Sequence, residues 1–140
     1  MTDRFFLDTN VLVYTFDSSA PRKQKIARSL VAHALKDRAG IISYQVTQEF
    51  LNVALRKFSP PMSSLEAQSY LRRVLMPLCE VFPDSPLYSD ALSIASKTGW
   101  TFYDALIVAS AAIGKCRTLL TEDLQPGRVI QGVEIRNPFL

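Results

Sequence analysis

The chain has 140 residues, of which 48% are apolar and 21% charged, with a net charge of +3. That is enough chain for one domain with a sizeable core, and the composition excludes intrinsic disorder. No apolar run approaches the ~20 residues of a bilayer-crossing helix, so no membrane span is expected; the longest, 105–113, is broken by Ser110. The opening MTDRFF has no basic leader or long apolar stretch, so no signal peptide is expected. Cys79 and Cys116 lack CxxC spacing, and they read as two buried thiols in a reducing cytoplasm.

Residues 4–7 read as a short buried strand. It runs straight into Asp8, Thr9 and Asn10 before Val11, Leu12 and Val13 resume the apolar run. Asp and Asn are poor strand residues and are rarely buried without partners. An acid, a hydroxyl and an amide inside a hydrophobic segment therefore require a reason. Residues 17–21 are polar, end in Pro and read as a loop. Helical spacing follows over 22–38, with Ile26, Leu30, Val31, Ala34 and Leu35 on one face and Gly40 as the stop.

Residues 40–43 (GIIS) form the second predicted strand, and 46–58 a second helix ended by Ser59, Pro60 and Pro61. Ser63, Ser64 and Glu66 are cap residues for a third helix, 64–76. A strand at 79–82 (CEVF) precedes Pro83. Helix 87–98 is closed by Gly99, and 102–114 is apolar on nearly every side, as a buried helix is. Strands at 117–120 and 132–136 complete the chain. Alternating strands and helices, with few polar residues in the strands, predict an α/β sandwich around a mainly parallel sheet, in one domain over 1–140.

In open parallel sheets ligands bind beyond the carboxyl ends of the strands. Asp8 follows the first strand, and Asp123 follows the strand that ends in TLLT. Two strand ends thus each deliver a carboxylate to that edge, with Thr9, Asn10 and Thr121 beside them as hydrogen-bonding support. Glu49 lies at the border of its helix's apolar stripe, next to Val46 and Val53. Asp104 opens the buried helix, near the positive end of its dipole. Singly, each acid has an ordinary role as a turn, cap or surface residue. Four together would repel and raise one another's pKa, which a divalent cation relieves. An all-oxygen site of this kind suits Mg²⁺ or Mn²⁺ rather than zinc. With four of the 13 acids assigned to metal, the remaining nine face 16 bases, a surplus of seven that suits a polyanion such as nucleic acid.

The segments LDTNVLVY, TQEFLNV, FYDALIVASA and LLTEDLQPGRVIQGVEIRNPF, in that order, resemble the PIN domain, and in particular the VapC-type toxins of toxin–antitoxin pairs. The resemblance spans essentially the whole chain. It implies a three-layer α/β/α sandwich and a metal-dependent endoribonuclease. It places the acidic site on Asp8, Glu49, Asp104 and Asp123, supported by Thr9, Asn10 and Thr121. The family pattern favours Asp123 over the adjoining Glu122. One or two Mg²⁺ or Mn²⁺ ions would lower the pKa of a bound water and polarise the scissile phosphate, leaving 5′-phosphate and 3′-hydroxyl ends. The implied partners are an RNA substrate, a small antitoxin whose C-terminal segment blocks the acidic pocket, and a second copy in a homodimer. The helix at 64–76 is a candidate for a dimer face or antitoxin groove.

The single histidine, His33, excludes a ribonuclease built on two histidines and reads as a surface residue. Candidate basic grips for RNA are Arg22, Lys23, Lys25 and Arg28, then Arg56 with Lys57, and Arg72 with Arg73. Two other readings compete. A haloacid-dehalogenase-like phosphohydrolase would use Asp8, Ser43 and Lys115, but Asn10 stands where its second Asp belongs. A PIN-like module that binds RNA or protein without turnover would show metal-dependent binding and no cleavage.

Overall fold

A computed structural model describes residues 3–140. The expectation of no N-terminal leader falls partly on Met1 and Thr2, outside the described residues. A six-stranded sheet has the order β3-β2-β1-β4-β6-β5. It comprises β1 (Phe5–Leu7), β2 (Gly40–Ser43), β3 (Cys79–Val81), β4 (Thr118–Leu120), β5 (Val129–Ile130) and β6 (Val133–Arg136). All pairings are parallel except β5 with β6. The helices are α1 (Thr9–Tyr14), α2 (Pro21–Asp37), α3 (Tyr44–Arg56), α4 (Ser64–Tyr70), α5 (Met76–Leu78), α6 (Ser85–Thr98) and α7 (Phe102–Ile113).

Two glycines show how the layers divide. A side chain at Gly40 would meet Ala34 of α2 at 2.6 Å. The next residue of β2, Ile41, points to the opposite face, and there its tip lies where a side chain on Gly114, just past α7, would go. So α2 covers one face and α7 the other, with α6 packed on α7. This is the expected α/β/α sandwich around a mainly parallel sheet. Phe6, Leu7, Ile41, Ile42, Leu119 and Ile135 of the strands are fully or almost fully buried, as a sheet covered on both faces requires.

Several local expectations need correction. The apolar run after Asp8 is a helix, α1, with Asp8 as its N-cap accepting the Thr9 N–H. Six residues are too few to show a helical period. Helix α2 ends at Asp37 and is capped by Arg38, which itself takes the left-handed conformation (φ 51°). Gly40 is not its stop; it opens β2, where the close approach to α2 demands the absence of a side chain. The helix expected at 64–76 starts with a Ser63–Glu66 capping box, but Leu71–Leu75 are wound as a π-helix before α5. β5 was not foreseen, because two residues carry no alternation. Helix α6 starts at Ser85, two residues earlier than expected, with Asp84 as its cap, and Gly99 (φ 78°) closes it as expected. Both cysteines are free and buried, and burial pushes the Cys116 thiol up to about 12. Among the described residues no helix is long and apolar enough to cross a membrane.

Candidate active site

The sheet order puts the site where chain topology reverses. From β1 the chain steps outward to β2 and β3, then returns to the other side of β1 for β4. The crevice beyond the carboxyl ends of β1 and β4 is therefore the switch point of an open α/β sheet. Asp8 follows β1 and Thr121, Glu122 and Asp123 follow β4. The Asp8 N–H donates to Leu120 O at 3.1 Å, which fixes the two strand ends together.

Asp8 is buried and hydrogen-bonded on both oxygens. Thr9 N–H donates to Oδ1 at 2.7 Å, and the fully buried Thr121 hydroxyl donates to Oδ2 at 2.7 Å. Burial nonetheless raises its pKa to about 6; the two donors oppose that rise, and the charges of Asp123 and Glu49 add to it. Glu49, from α3, is tied to the same place: the Thr9 hydroxyl donates to its Oε1 at 2.7 Å. Asp123 accepts from Asn10 Nδ2 at 3.0 Å, and its N–H donates to the Thr121 hydroxyl at 3.1 Å. Its pKa is also raised, chiefly by burial, then by Glu122, Asp104 and Glu49. Asp104 sits in the first turn of α7, whose N-cap Thr101 accepts the Asp104 N–H at 3.2 Å. Among the described residues its carboxylate has no hydrogen bond to the other three, and its charge is felt at Asp123.

The residues singled out in the sequence thus share one edge: Asp8, Glu49 and Asp123 through Thr9, Asn10 and Thr121, and Asp104 through its field. Among the described residues, no three acidic, histidine or cysteine side chains stand ready to hold a metal ion as placed. Hydroxyl and amide donors instead occupy both oxygens of Asp8 and of Glu49 and one of Asp123. The site still has surplus acceptors. Asn10 Oδ1 and Gln45 Oε1 are buried and have no donor. Crowded carboxylates, of which Asp8 and Asp123 have a raised pKa, and two unpartnered amide oxygens make an all-oxygen donor set, which matches a hard divalent cation.

Glu122 is separated from its neighbour by its partners. Its carboxylate accepts from the Tyr14 hydroxyl and pairs with Lys23 Nζ at 2.8 Å. Burial raises its pKa, but Lys23 and Tyr14 outweigh that and the net shift is downward. Lys23 also lies 4.9 Å from the centroid of the Tyr14 ring. Arg28, itself exposed, donates to Thr15 O at 2.9 Å, so Lys23 and Arg28 make contacts within the fold, while Arg22, Lys25, Arg56, Lys57, Arg72 and Arg73 are exposed. His33 is exposed and stacks on Phe5. Ser43, which a haloacid-dehalogenase-like reaction would need free, is buried and caps α3 by accepting the Val46 N–H at 3.3 Å.

Sequence reasoning missed Gln45. It is buried, and its Nε2 donates to Glu49 Oε2 at 3.2 Å and to Tyr103 O at 3.4 Å. The signal was present, since Gln45 and Glu49 are one helical turn apart and share a face. The lock formed by Tyr14, Lys23 and Glu122 left no such local trace.

Thr121→Val keeps the buried shape and removes one donor from Asp8. The Asp8 pKa is expected to rise by about one unit, read from its carboxyl carbon shift in a pH titration by NMR. An unchanged titration would mean that the Thr121 hydroxyl does not hold the charge.

The family model of the PIN domain matches residues 5–129. A comparison with curated proteins found no match. Among solved structures, a toxin–antitoxin complex from Klebsiella pneumoniae matches with a TM-score of 0.66 and 19% identity, over 95% of this chain and 96% of that chain. FitAcB from Neisseria gonorrhoeae matches with a TM-score of 0.65 and 24% identity, over 96% and 98%. VapC20 from Mycobacterium tuberculosis, a sarcin–ricin loop cleaving toxin, matches with a TM-score of 0.63 and 17% identity, over 85% and 91%. At these identities the likeness is one of fold.

Proposed function

This chain belongs to the PIN domain family, and from that premise we propose that it is an endoribonuclease dependent on Mg²⁺ or Mn²⁺, the toxin of a toxin–antitoxin pair. The observation that carries the reading is the buried Asp8 carboxylate, wired through Thr9, Asn10 and Thr121 to Glu49 and Asp123 at the switch point of the sheet. Asp8, Glu49, Asp104 and Asp123 are the residues that would hold the ion. When bound, a divalent cation supplies positive charge that lowers the pKa of an attacking water and neutralises charge on the phosphate. The protein's own part is positional. Thr121 and Thr9 fix the Asp8 carboxylate, Thr9 and Gln45 fix Glu49, and Asn10 orients Asp123. Repulsion between these carboxylates and the negatively charged phosphodiester keeps the substrate out of the site until a cation offsets it, which makes the nuclease dependent on loading.

The toxin role rests on the kinds of proteins that share this fold, among them the toxin–antitoxin complex from Klebsiella pneumoniae and VapC20. An RNA substrate, a small antitoxin partner, a homodimer and a cytoplasmic location belong to the same reading. The test is incubation of total cellular RNA with purified protein in Mg²⁺ or Mn²⁺, in EDTA, and with Asp8→Asn. Discrete fragments bearing 5′-phosphates, absent from the EDTA and variant lanes, are expected. Cleavage that persists in EDTA would overturn the metal-dependent reading. Metal-dependent RNA binding with no cleavage in any lane would favour the non-catalytic module.

A further inference from the structure

Helix α1 grips the turn after β4 at two points. Asn10 Nδ2 donates to the Asp123 carboxylate at 3.0 Å. Tyr14, one helical turn further along the same face, donates its hydroxyl to Glu122 Oε1. Lys23 of α2 completes this second point, with Nζ at 2.8 Å from Glu122 Oε2 and 3.2 Å from the Tyr14 hydroxyl. Both oxygens of Glu122 are thus engaged away from the other carboxylates. The Tyr14 ring is fixed in turn, edge-on to the buried Phe139 with centroids 5.0 Å apart.

Stability is a weak reason for this arrangement. The side chains of Lys23 and Glu122 are 35% and 24% exposed, and an ion pair in contact with water adds little to a fold. Position is a stronger one. Asp123 is exposed, and among the described residues its carboxylate has a single hydrogen bond, from Asn10. One bond leaves freedom in both the side chain and the turn that carries it. The two preceding residues remove that freedom: Thr121 is anchored on Asp8 at 2.7 Å, and Glu122 is anchored on Tyr14 and Lys23. The turn also presents two carboxylates side by side, and a hard cation accepts either. Pairing with Lys23 occupies Glu122 and leaves Asp123 as the one that reaches Asn10.

We propose that Tyr14, Lys23 and Glu122 are positioning residues of the cation site: they anchor the turn after β4 so that Asp123, and not Glu122, meets the cation. The inference rests on the metal-dependent reading above. It gives Lys23 a place in the frame of the site and none among the RNA contacts. Positioning and plain electrostatics predict opposite signs for this lysine. Removing a positive charge close to a cation site tightens cation binding if nothing moves; releasing the turn weakens it.

The test is Mn²⁺ binding to RNA-free protein by isothermal titration calorimetry, with thermal melts in EDTA alongside. Tyr14→Phe removes one hydroxyl and keeps the ring against Phe139. Lys23→Met removes the charge and keeps most of the side-chain length. Each is expected to weaken Mn²⁺ binding by about tenfold, the lower end of what partners of metal-binding side chains contribute, with metal-free melts close to wild type. The double variant should lose no more than either single one, because both act through one carboxylate. Lys25→Met, at an exposed position of the same helix, removes an equal charge and should bind Mn²⁺ like wild type. Tyr14→Phe and Lys23→Met proteins that bind Mn²⁺ as tightly as wild type, or more tightly, overturn the positioning role. If wild type then binds Mn²⁺ and Asp8→Asn does not, the nuclease reading stands without it. An equal loss in Lys25→Met, or a loss that follows a lowered metal-free melt, also overturns it and leaves the three residues a structural contact. A wild type that binds no Mn²⁺ removes both readings together.

Discussion

Asp8→Asn is expected to abolish RNA cleavage and, in the same protein, to raise stability at neutral pH. Partners of metal-binding side chains are worth about 10- to 100-fold in activity, so loss of the central carboxylate charge should cost at least a hundredfold. The stability effect follows from burial. The folded Asp8 pKa is about 6 against an ordinary 3.8, so at pH 7 the fold carries a buried charge that it disfavours by about 3 kcal/mol. Asparagine is still able to cap α1 through its Oδ1 and to donate from its Nδ2 to the Thr121 hydroxyl oxygen, and it carries no charge to bury. Chemical denaturation of metal-free protein at pH 7 should show the variant more stable by about 2–3 kcal/mol, with a thermal midpoint roughly 5–10 °C higher. Below pH 4, where wild-type Asp8 is protonated in both folded and unfolded chains, the difference should vanish. A variant that is inactive and also less stable at pH 7 would mean that Asp8 is structural first.

The second large effect is the exchange between pH and metal. A carboxyl whose pKa is raised on folding binds more protons in the folded state, so stability falls as pH rises between the two values. For Asp8 the stabilisation is complete below about 3.8 and lost as pH rises to about 6, and Asp123 shifts in the same direction. Metal-free wild type should therefore be less stable at pH 7 than at pH 4.5 by the contribution of these two groups. Magnesium should return it, since a ligand at a hundred times its dissociation constant stabilises by about 2.7 kcal/mol. Thermal melts at pH 4.5 and 7, each with EDTA and with Mg²⁺, check this. The Mg²⁺ increment should be large at pH 7, small at pH 4.5 and absent in Asp8→Asn. An equal increment at both pH values would place the bound ion away from Asp8.

These effects trace to a site whose members were largely visible in the sequence. Asp8, Thr9 and Asn10 stood out because polar residues interrupt an apolar run, and Thr121 with Asp123 because they follow another. Their meeting follows from strand order, which no local pattern encodes: β4 joins β1 only after the chain has gone out to β3 and come back. Glu49 and Gln45 show the same limit within one helix. Periodicity put Glu49 near the apolar border of its helix and left Gln45 just outside the expected 46–58, and only the packed structure gives them Thr9 and the Tyr103 carbonyl as partners.

By itself the sequence determined the kind of fold and the chemical class of the site. Alternating apolar strands and amphipathic helices demand a covered parallel sheet, and acids at strand ends have few other places to go. Only the tertiary structure decided which acid meets which partner. Glu122 and Asp123 are adjacent in the chain, yet Tyr14 and Lys23 draw one into a structural lock while Asn10 draws the other to the site. It also decided that the run after Asp8 is a helix and that Gly40 is a packing residue. Short elements carry too few residues for a period to show, and the contacts that settle them come from chain far away in sequence.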